Sequence, residues 1–201
     1  MDVDEGRVEY ALSKGFATHG YVVPKPLHSC ASSSSIYSGT TTPSSDGAMT
    51  PLSTYDRLHR AKGVAADVLA VARPDMAALE EDEDEGVDIT FECTGKEACM
   101  QTSLYATKPG GRVIMVGMGT PIQTVPLSVA HLREVDILGI FRYANTYKTG
   151  IRLLAGKGLP SLDEMVTHRF GGLGAAKKAF ELAGRTVDDE GRLVLKVVIE
   201  A

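Results

Sequence analysis

An α/β fold with an open, doubly wound parallel sheet is the class this sequence predicts, and three observations predict it. Short apolar strand candidates alternate with helical periodicities from Val87 onward, and such alternation requires crossover connections and so parallel pairing. Glycines fall where strands would hand over to helices, at Gly95, Gly110-Gly111 and Gly117-Met118-Gly119. At 201 residues and 43% hydrophobic content, the chain has material for one ordinary core.

The elements follow in order. Asp4 to Lys14 spaces Val8, Ala11 and Leu12, then Phe16, at helical intervals, with Asp4 as N-cap and Gly15 as stop. Tyr21-Val22-Val23 before Pro24 reads as a brief strand. Residues 25 to 55 turn to Ser, Thr, Pro and Gly, with too little apolar content to offset their ordering entropy, and read as a disordered surface insertion. Leu58, Ala61, Val64, Ala65 and Leu69 predict a helix that breaks near Pro74. The acidic run Glu80 to Glu85 reads as a solvated loop.

Three strands are then expected at Val87 to Glu92, Arg112 to Gly117 and Val135 to Phe141, with helices around Lys96 to Thr107 and Leu127 to Arg133. A helix from Asn145 to Ala155, a strand from Val166 to Phe170 and a helix from Gly174 to Ala183 come next. In the last of these Ala176, Ala179, Phe180 and Ala183 are expected to face inward. Leu193 to Ile199 closes as a strand.

Composition limits the function classes. A net charge of -5 and a pI near 5.5 argue against a nucleic-acid footprint, which needs clustered Lys and Arg. A small ligand is expected instead. The opening Met1-Asp2-Val3-Asp4-Glu5 is too acidic for a presequence, and no apolar run approaches the roughly 18 residues of a membrane span. A cytoplasmic location is the expectation. Cys30, Cys93 and Cys99 form no CxxC pair and read as reduced thiols. His19, His28, His59, His131 and His168 show no ligand spacing with Cys or carboxylates, so no metal site is expected.

Three strand ends carry chemistry-bearing groups. Glu92-Cys93-Thr94-Gly95 lies where a strand meets a helix, the carboxyl edge at which open α/β sheets bind ligands; the plainer alternative is Thr94 as an N-cap. Gly117-Met118-Gly119 offers an edge where a flat ligand could approach backbone, although glycines are common in such turns. Phe141-Arg142-Tyr143 would put a guanidinium fork and a phenol on the same edge. A surface Arg beside a core-edge Tyr is its ordinary counterpart.

Taken together, Asp2-Val3-Asp4-Glu5-Gly6-Arg7, Glu92-Cys93-Thr94-Gly95, Gly110-Gly111-Arg112-Val113, Arg133-Glu134-Val135-Asp136, Phe141-Arg142-Tyr143-Ala144-Asn145-Thr146 and Val166-Thr167-His168-Arg169-Phe170 resemble, in order and spacing, the zinc-dependent polyol dehydrogenases of the medium-chain family, which act on sorbitol, xylitol and L-arabinitol. The resemblance covers residues 2 to 23 and 87 to 201. It implies an incomplete Rossmann-like sheet: the family's first strand and GxGxxG turn would precede Asp2. Residues 1 to 160 would be part of an NAD-binding domain, and 161 to 201 would return to a catalytic domain outside this chain.

The resemblance also assigns roles. Asp2 matches the acidic residue that bonds the adenosine ribose hydroxyls and disfavours a 2′-phosphate, implying NAD, and Arg7 matches an arginine beside the adenosine; a solvated helix charge is its plainer reading. Thr94, the backbone of Val116, Gly117 and Met118, and that of Ile140, Phe141 and Arg142 match cofactor-lining positions. Arg142 and Tyr143 match residues reaching the hydroxyls of a sugar alcohol. The family's zinc is held by Cys, His and Glu from a preceding domain with a Gly-His-Glu motif, which this chain lacks. The chain alone is therefore expected to be inactive, its faces and edges left unpaired as an aggregation hazard. Two readings follow: part of an NAD- and zinc-dependent polyol dehydrogenase, homo-oligomeric like its family, or a non-catalytic remnant that keeps a subunit-pairing surface.

Overall fold

The computed structural model describes residues 1–24, 41–43, 49–73, 86–156 and 158–200. In chain order the elements are α1 (Glu5–Ser13), β1 (Thr41–Pro43), β2 (Met49–Pro51), α2 (Thr54–Ala72), β3 (Val87–Glu92), α3 (Glu97–Ala106), β4 (Thr107–Met115), α4 (Leu127–His131), β5 (Asp136–Gly139), α5 (Tyr147–Ala155), β6 (Val166–Gly171), α6 (Ala176–Ala183) and β7 (Lys196–Glu200). Two compact units contain them: Met1–Val22 with Asn145–Ala201, and Val23–Ala144.

The second unit holds the expected parallel sheet, in the order β3-β4-β5. Its core is Met100 and Leu104 of α3, Val113 of β4, Ala130 of α4 and Val135, backed by Met115, Val125, Val129 and Ile137. Strand alternation sets this face against the other: Val113 and Ile137 are paired in register and point to the helices, whereas Phe91, Ile114 and Leu138 stand in register on the opposite side. Phe91 there is 61% exposed. Parallel sheets are ordinarily covered on both faces, so this sheet carries one open apolar face.

Buried polar side chains on α3 are satisfied by backbone carbonyls. Thr102 Oγ1 and Ser103 Oγ donate back to the carbonyls of Ala98 and Cys99, and Gln101 Nε2 donates to Thr124 O at 2.6 Å. Helix α2 begins with a reciprocal capping box between Ser53 and Asp56 and buries Ala61, Ala65 and Leu69, as the periodicity predicts. Arg57 ties it to α3 through Glu97 at 2.9 Å.

Strand β4 begins at Thr107, earlier than the Arg112 expected from sequence. Val87 pairs with Thr107 but Ile89 with Arg112, so four residues of β4 bulge between them. Gly110 supplies the positive φ of 68° that the bulge needs, and its N–H is held by Arg133 O at 2.9 Å. At the other end β5 stops at Gly139 rather than Phe141. Arg142, at φ 53°, has left extended backbone altogether.

Within 25 to 55, β1 and β2 pair antiparallel, and α2 starts at Thr54. The expected disorder does not extend to those residues, because backbone pairing needs no apolar side chain. Residues 25–40 and 44–48 of that stretch, and the acidic run 80–85, lie outside the described residues. The strand expected at Tyr21-Val22-Val23 reduces to one parallel bridge, Asp2 with Val22.

In the first unit α1 has the expected frame: Asp4 caps it by accepting from Arg7 N at 3.0 Å, and Gly15 leaves it at φ 70°. Strands β6 and β7 run parallel, joined through α6. Ala179 of α6 is buried, but Phe180 is 76% exposed and Ala183 is exposed too. The inward face instead combines Ala179 with the half-buried Ala176 and Leu182. A 3₁₀ turn, Leu173–Ala175, precedes α6.

Candidate functional site

The carboxyl edge of the β3-β4-β5 sheet is assembled around one buried carboxylate. Glu92, the last residue of β3, is 3% exposed. Its Oε1 accepts from Thr94 N at 2.8 Å, Thr94 Oγ1 at 2.5 Å and Gly95 N at 3.0 Å, while Oε2 accepts from Gly95 N at 2.9 Å. The Glu92 carbonyl takes two more donors, Val116 N and Gly117 N, both at 2.8 Å. A buried charge is tolerated only when so fully hydrogen-bonded. The β3 and β4 edges are thereby locked by one residue.

The glycines complete the lock. A Cβ on Gly117 would overlap Gly95 N and lie 2.6 Å from Thr94 N, and one on Gly119 would overlap Gly95 O. Gly95 itself has φ 71°, and its carbonyl accepts from Thr120 N at 3.2 Å and Gln123 Nε2 at 3.0 Å. Close loop-to-loop packing thus accounts for these glycines. Thr94 does not cap α3: the N-cap position belongs to Lys96, and Thr94 Oγ1 donates to Glu92 and accepts from Lys96 N at 3.0 Å.

Of the residues singled out from sequence, Thr94, Val116, Gly117 and Met118 come together in this locked pair of loops. Met118 stands 79% exposed from the loop tip. Ile140 follows β5 and donates its N–H to Met115 O at 3.4 Å. Beyond it, the Arg142 guanidinium lies over the Phe141 ring, 5.1 Å from the centroid, a cation–π distance. Arg142 and Tyr143 are thus on a loop after the strand, not on the strand itself. Tyr143 is exposed.

Asp2 and Arg7 belong to the first unit. Asp2 Oδ1 accepts from Asp4 N at 3.0 Å, and Asp2 N donates to Tyr21 O at 3.1 Å. Among the described residues the second Asp2 carboxylate oxygen accepts no hydrogen bond, so it is open to a hydroxyl donor. Arg7 is half-buried, and its Nε has no partner among the described residues.

Two residues of this edge, Glu92 and Gln123, have roles that the sequence alone does not assign. A charged residue ending an otherwise apolar strand was the available signal for the first; nothing local marks the second.

The sequence model of the family described as zinc-binding dehydrogenase matches residues 53–156, just over half of the chain. The chain belongs to the zinc-binding dehydrogenase family. Within that family it is 51% identical over 98 residues to sorbitol dehydrogenase of Gallus gallus, covering 49% of this chain and 27% of that protein. To sorbitol dehydrogenase of Homo sapiens it is 44% identical over 130 residues, covering 62% of this chain and 36% of that one. The chain thus spans about a third of the length of these relatives. Among solved structures, zinc dependent alcohol dehydrogenase 2 from Streptococcus pneumonia in its apo form aligns over 91% of this chain and 39% of its own, with TM-score 0.57 and 21% identity. That likeness shows the fold, a Rossmann-type parallel α/β dehydrogenase architecture.

Among the described residues no group of three or more His, Cys, Asp or Glu is placed to hold a metal ion. Nor is any described helix long and apolar enough to cross a membrane.

Proposed function

We propose that this chain supplies the cofactor side of an NAD- and zinc-dependent polyol dehydrogenase, which oxidises a secondary alcohol of a sugar alcohol to a ketose. The observation that carries this is the likeness to sorbitol dehydrogenases, 51% and 44% identical over the aligned residues. Residues 1 to 160 form the cofactor part in this reading, and 161 to 201 return toward the catalytic domain. Asp2 offers its open carboxylate oxygen to the ribose hydroxyls, with Arg7 beside the adenosine. Thr94, Val116, Gly117 and Met118, with Ile140, Phe141 and Arg142, line the nicotinamide side, and Arg142 and Tyr143 reach the polyol. Bound NAD supplies the hydride acceptor. The Glu92 lock holds the 94–95 and 116–119 backbones rigid, the preorganisation that positioning a flat ring requires. Zinc, held in the family by ligands outside the described residues, enters no step derived from this chain. The setting is cytoplasmic, and the assembly homo-oligomeric.

Turnover tests this reading. The native protein, as isolated from its source, should produce NADH absorbance with at least one of sorbitol, xylitol and L-arabinitol, and the signal should vanish on chelation of zinc. The purified 201-residue chain should give none. A native protein that binds zinc and NAD yet oxidises none of the three would sink the assignment. A non-catalytic pairing role is the second reading, favoured by the exposure of Leu138, Ile140 and Phe141 along and just beyond β5, an outer strand of its sheet.

A further inference from the structure

A negative charge lies directly beneath the loops that line the nicotinamide in the reading above. Among the described residues of the second unit, Glu92 is the one ionisable side chain that is buried. It enters no ion pair there: those of the unit join Arg57 to Glu97, Lys108 to Asp88 and Arg112 to Asp136. Every bond to its carboxylate comes from a donor, the N–H groups of Thr94 and Gly95 and the Thr94 hydroxyl. A protonated acid would carry an O–H that none of these groups accepts. Such bonds share the charge without cancelling it. Thr94, Val116 and Met118 stand exposed on the outer side of the same locked loops, so Glu92 is one hydrogen bond below that surface. Lys96 and Arg142, the cations of this edge, are exposed and screened by water.

We propose that Glu92 sets the redox preference of the cofactor site, favouring the oxidised nicotinamide over the reduced one. The inference rests on the cofactor reading given above. The oxidised ring is a cation, and it becomes neutral on accepting a hydride. Attraction to a buried carboxylate is stronger through the protein interior than through water, and it disappears with the ring's charge. Uptake of NAD and release of NADH are both favoured, which biases the site toward oxidation of the alcohol. Glu92 touches no cofactor and acts from behind the Thr94-Gly95 backbone, as a positioning residue whose charge matters.

The test titrates NAD and NADH separately into the native protein by calorimetry and follows the ratio of the two Kd values. Glu92→Gln removes the charge and keeps the shape, and should lower the preference for NAD over NADH about fivefold to tenfold, the size of one partly buried charge–charge attraction. Glu92→Asp keeps the charge, and should weaken both nucleotides alike while leaving the ratio unchanged. Loosened loops alone would weaken both in either variant and move the ratio in neither. Should Glu92→Gln fail to fold, as judged by circular dichroism, Thr94→Val decides: loss of the hydroxyl that shares the charge should raise the preference for NAD. A ratio unmoved by Glu92→Gln, moved as far by Glu92→Asp, or not raised by Thr94→Val would overturn the proposal and leave the cofactor reading standing. A native protein that binds neither nucleotide would overturn both.

Discussion

Glu92 shows how much structure one side chain can carry. Its carboxylate accepts from the donors of Thr94 and Gly95, and its carbonyl from those of Val116 and Gly117. Glu92→Gln keeps the shape but replaces one acceptor oxygen with an NH₂ facing Gly95 N. The expected loss is about 1–3 kcal/mol, the size of a hydrogen bond to a charged group, read as a lower urea midpoint at unchanged slope. Glycine positions divide in the same way. Gly117→Ala drives a methyl into the Thr94-Gly95 backbone and should cost about 1–3 kcal/mol or more, as overpacking does. Gly139→Ala meets nothing within 4 Å and has no positive φ, so its midpoint should hardly move. Equal midpoints for the two variants would mean that the loops are not locked as described. Asp2 bears on cofactor choice instead. In the working enzyme Asp2→Ala should weaken NAD more than NADP, narrowing the preference by about 1–3 kcal/mol in the kcat/KM ratio. An unchanged ratio would remove Asp2 from the ribose site.

At the scale of elements, the turn between α6 and β7 is organised by another carboxylate. Asp188 is buried, which pushes its carboxyl up, but the opposing bonds win: Arg192 N at 2.7 Å, the His168 ring at 3.2 Å, the Arg192 guanidinium at 2.7 Å and Glu190 N at 2.9 Å. The group is held well below the usual carboxylate range. In turn the Asp188 carboxylate raises Arg192 above its ordinary value. Because the folded state lowers the Asp188 value, its stabilisation is fully present above the unfolded value of about 3.9 and fades as pH falls through the folded one. Thermal melts should therefore show Asp188→Asn well below the parent at neutral pH, with the gap closing under acid below about pH 4. A gap that stayed constant between pH 7 and pH 2 would contradict this account. The same turn joins the helix–strand pair α6–β7 to β6, since His168 lies on β6.

On the scale of the whole molecule, the open face of the β3-β4-β5 sheet has a measurable consequence. Phe91 and Leu138 are exposed there beside Ile114, in a sheet type ordinarily covered on both sides. The chain should self-associate as concentration rises in sedimentation velocity, and Phe91→Lys should suppress this at little cost to stability, because Phe91 contributes nothing to the core described above. Self-association undiminished by Phe91→Lys would place the sticky surface elsewhere.

Much of this was legible in the sequence, for a physical reason. Alternating strands and helices forced parallel pairing, and the spacing of Ala61, Ala65 and Leu69, like the Asp4 cap, reports local geometry that a short window contains. The family, too, is written in the order of motifs such as Glu92-Cys93-Thr94-Gly95 and Phe141-Arg142-Tyr143. Tertiary structure alone decided the rest. That Gly117 and Gly119 serve loop packing depends on Gly95 arriving from another strand, more than twenty residues away. Strand β4 reaches back to Thr107 because Val87 pairs with it across a bulge, which no apolar run could announce. Phe180 faces outward while Ala179, its neighbour on α6, is buried, and Asp188 is fixed by His168 from a different element. Periodicity records what a residue's neighbours along the chain require; register, phase and the partner of a buried charge are set by segments brought together only in the fold.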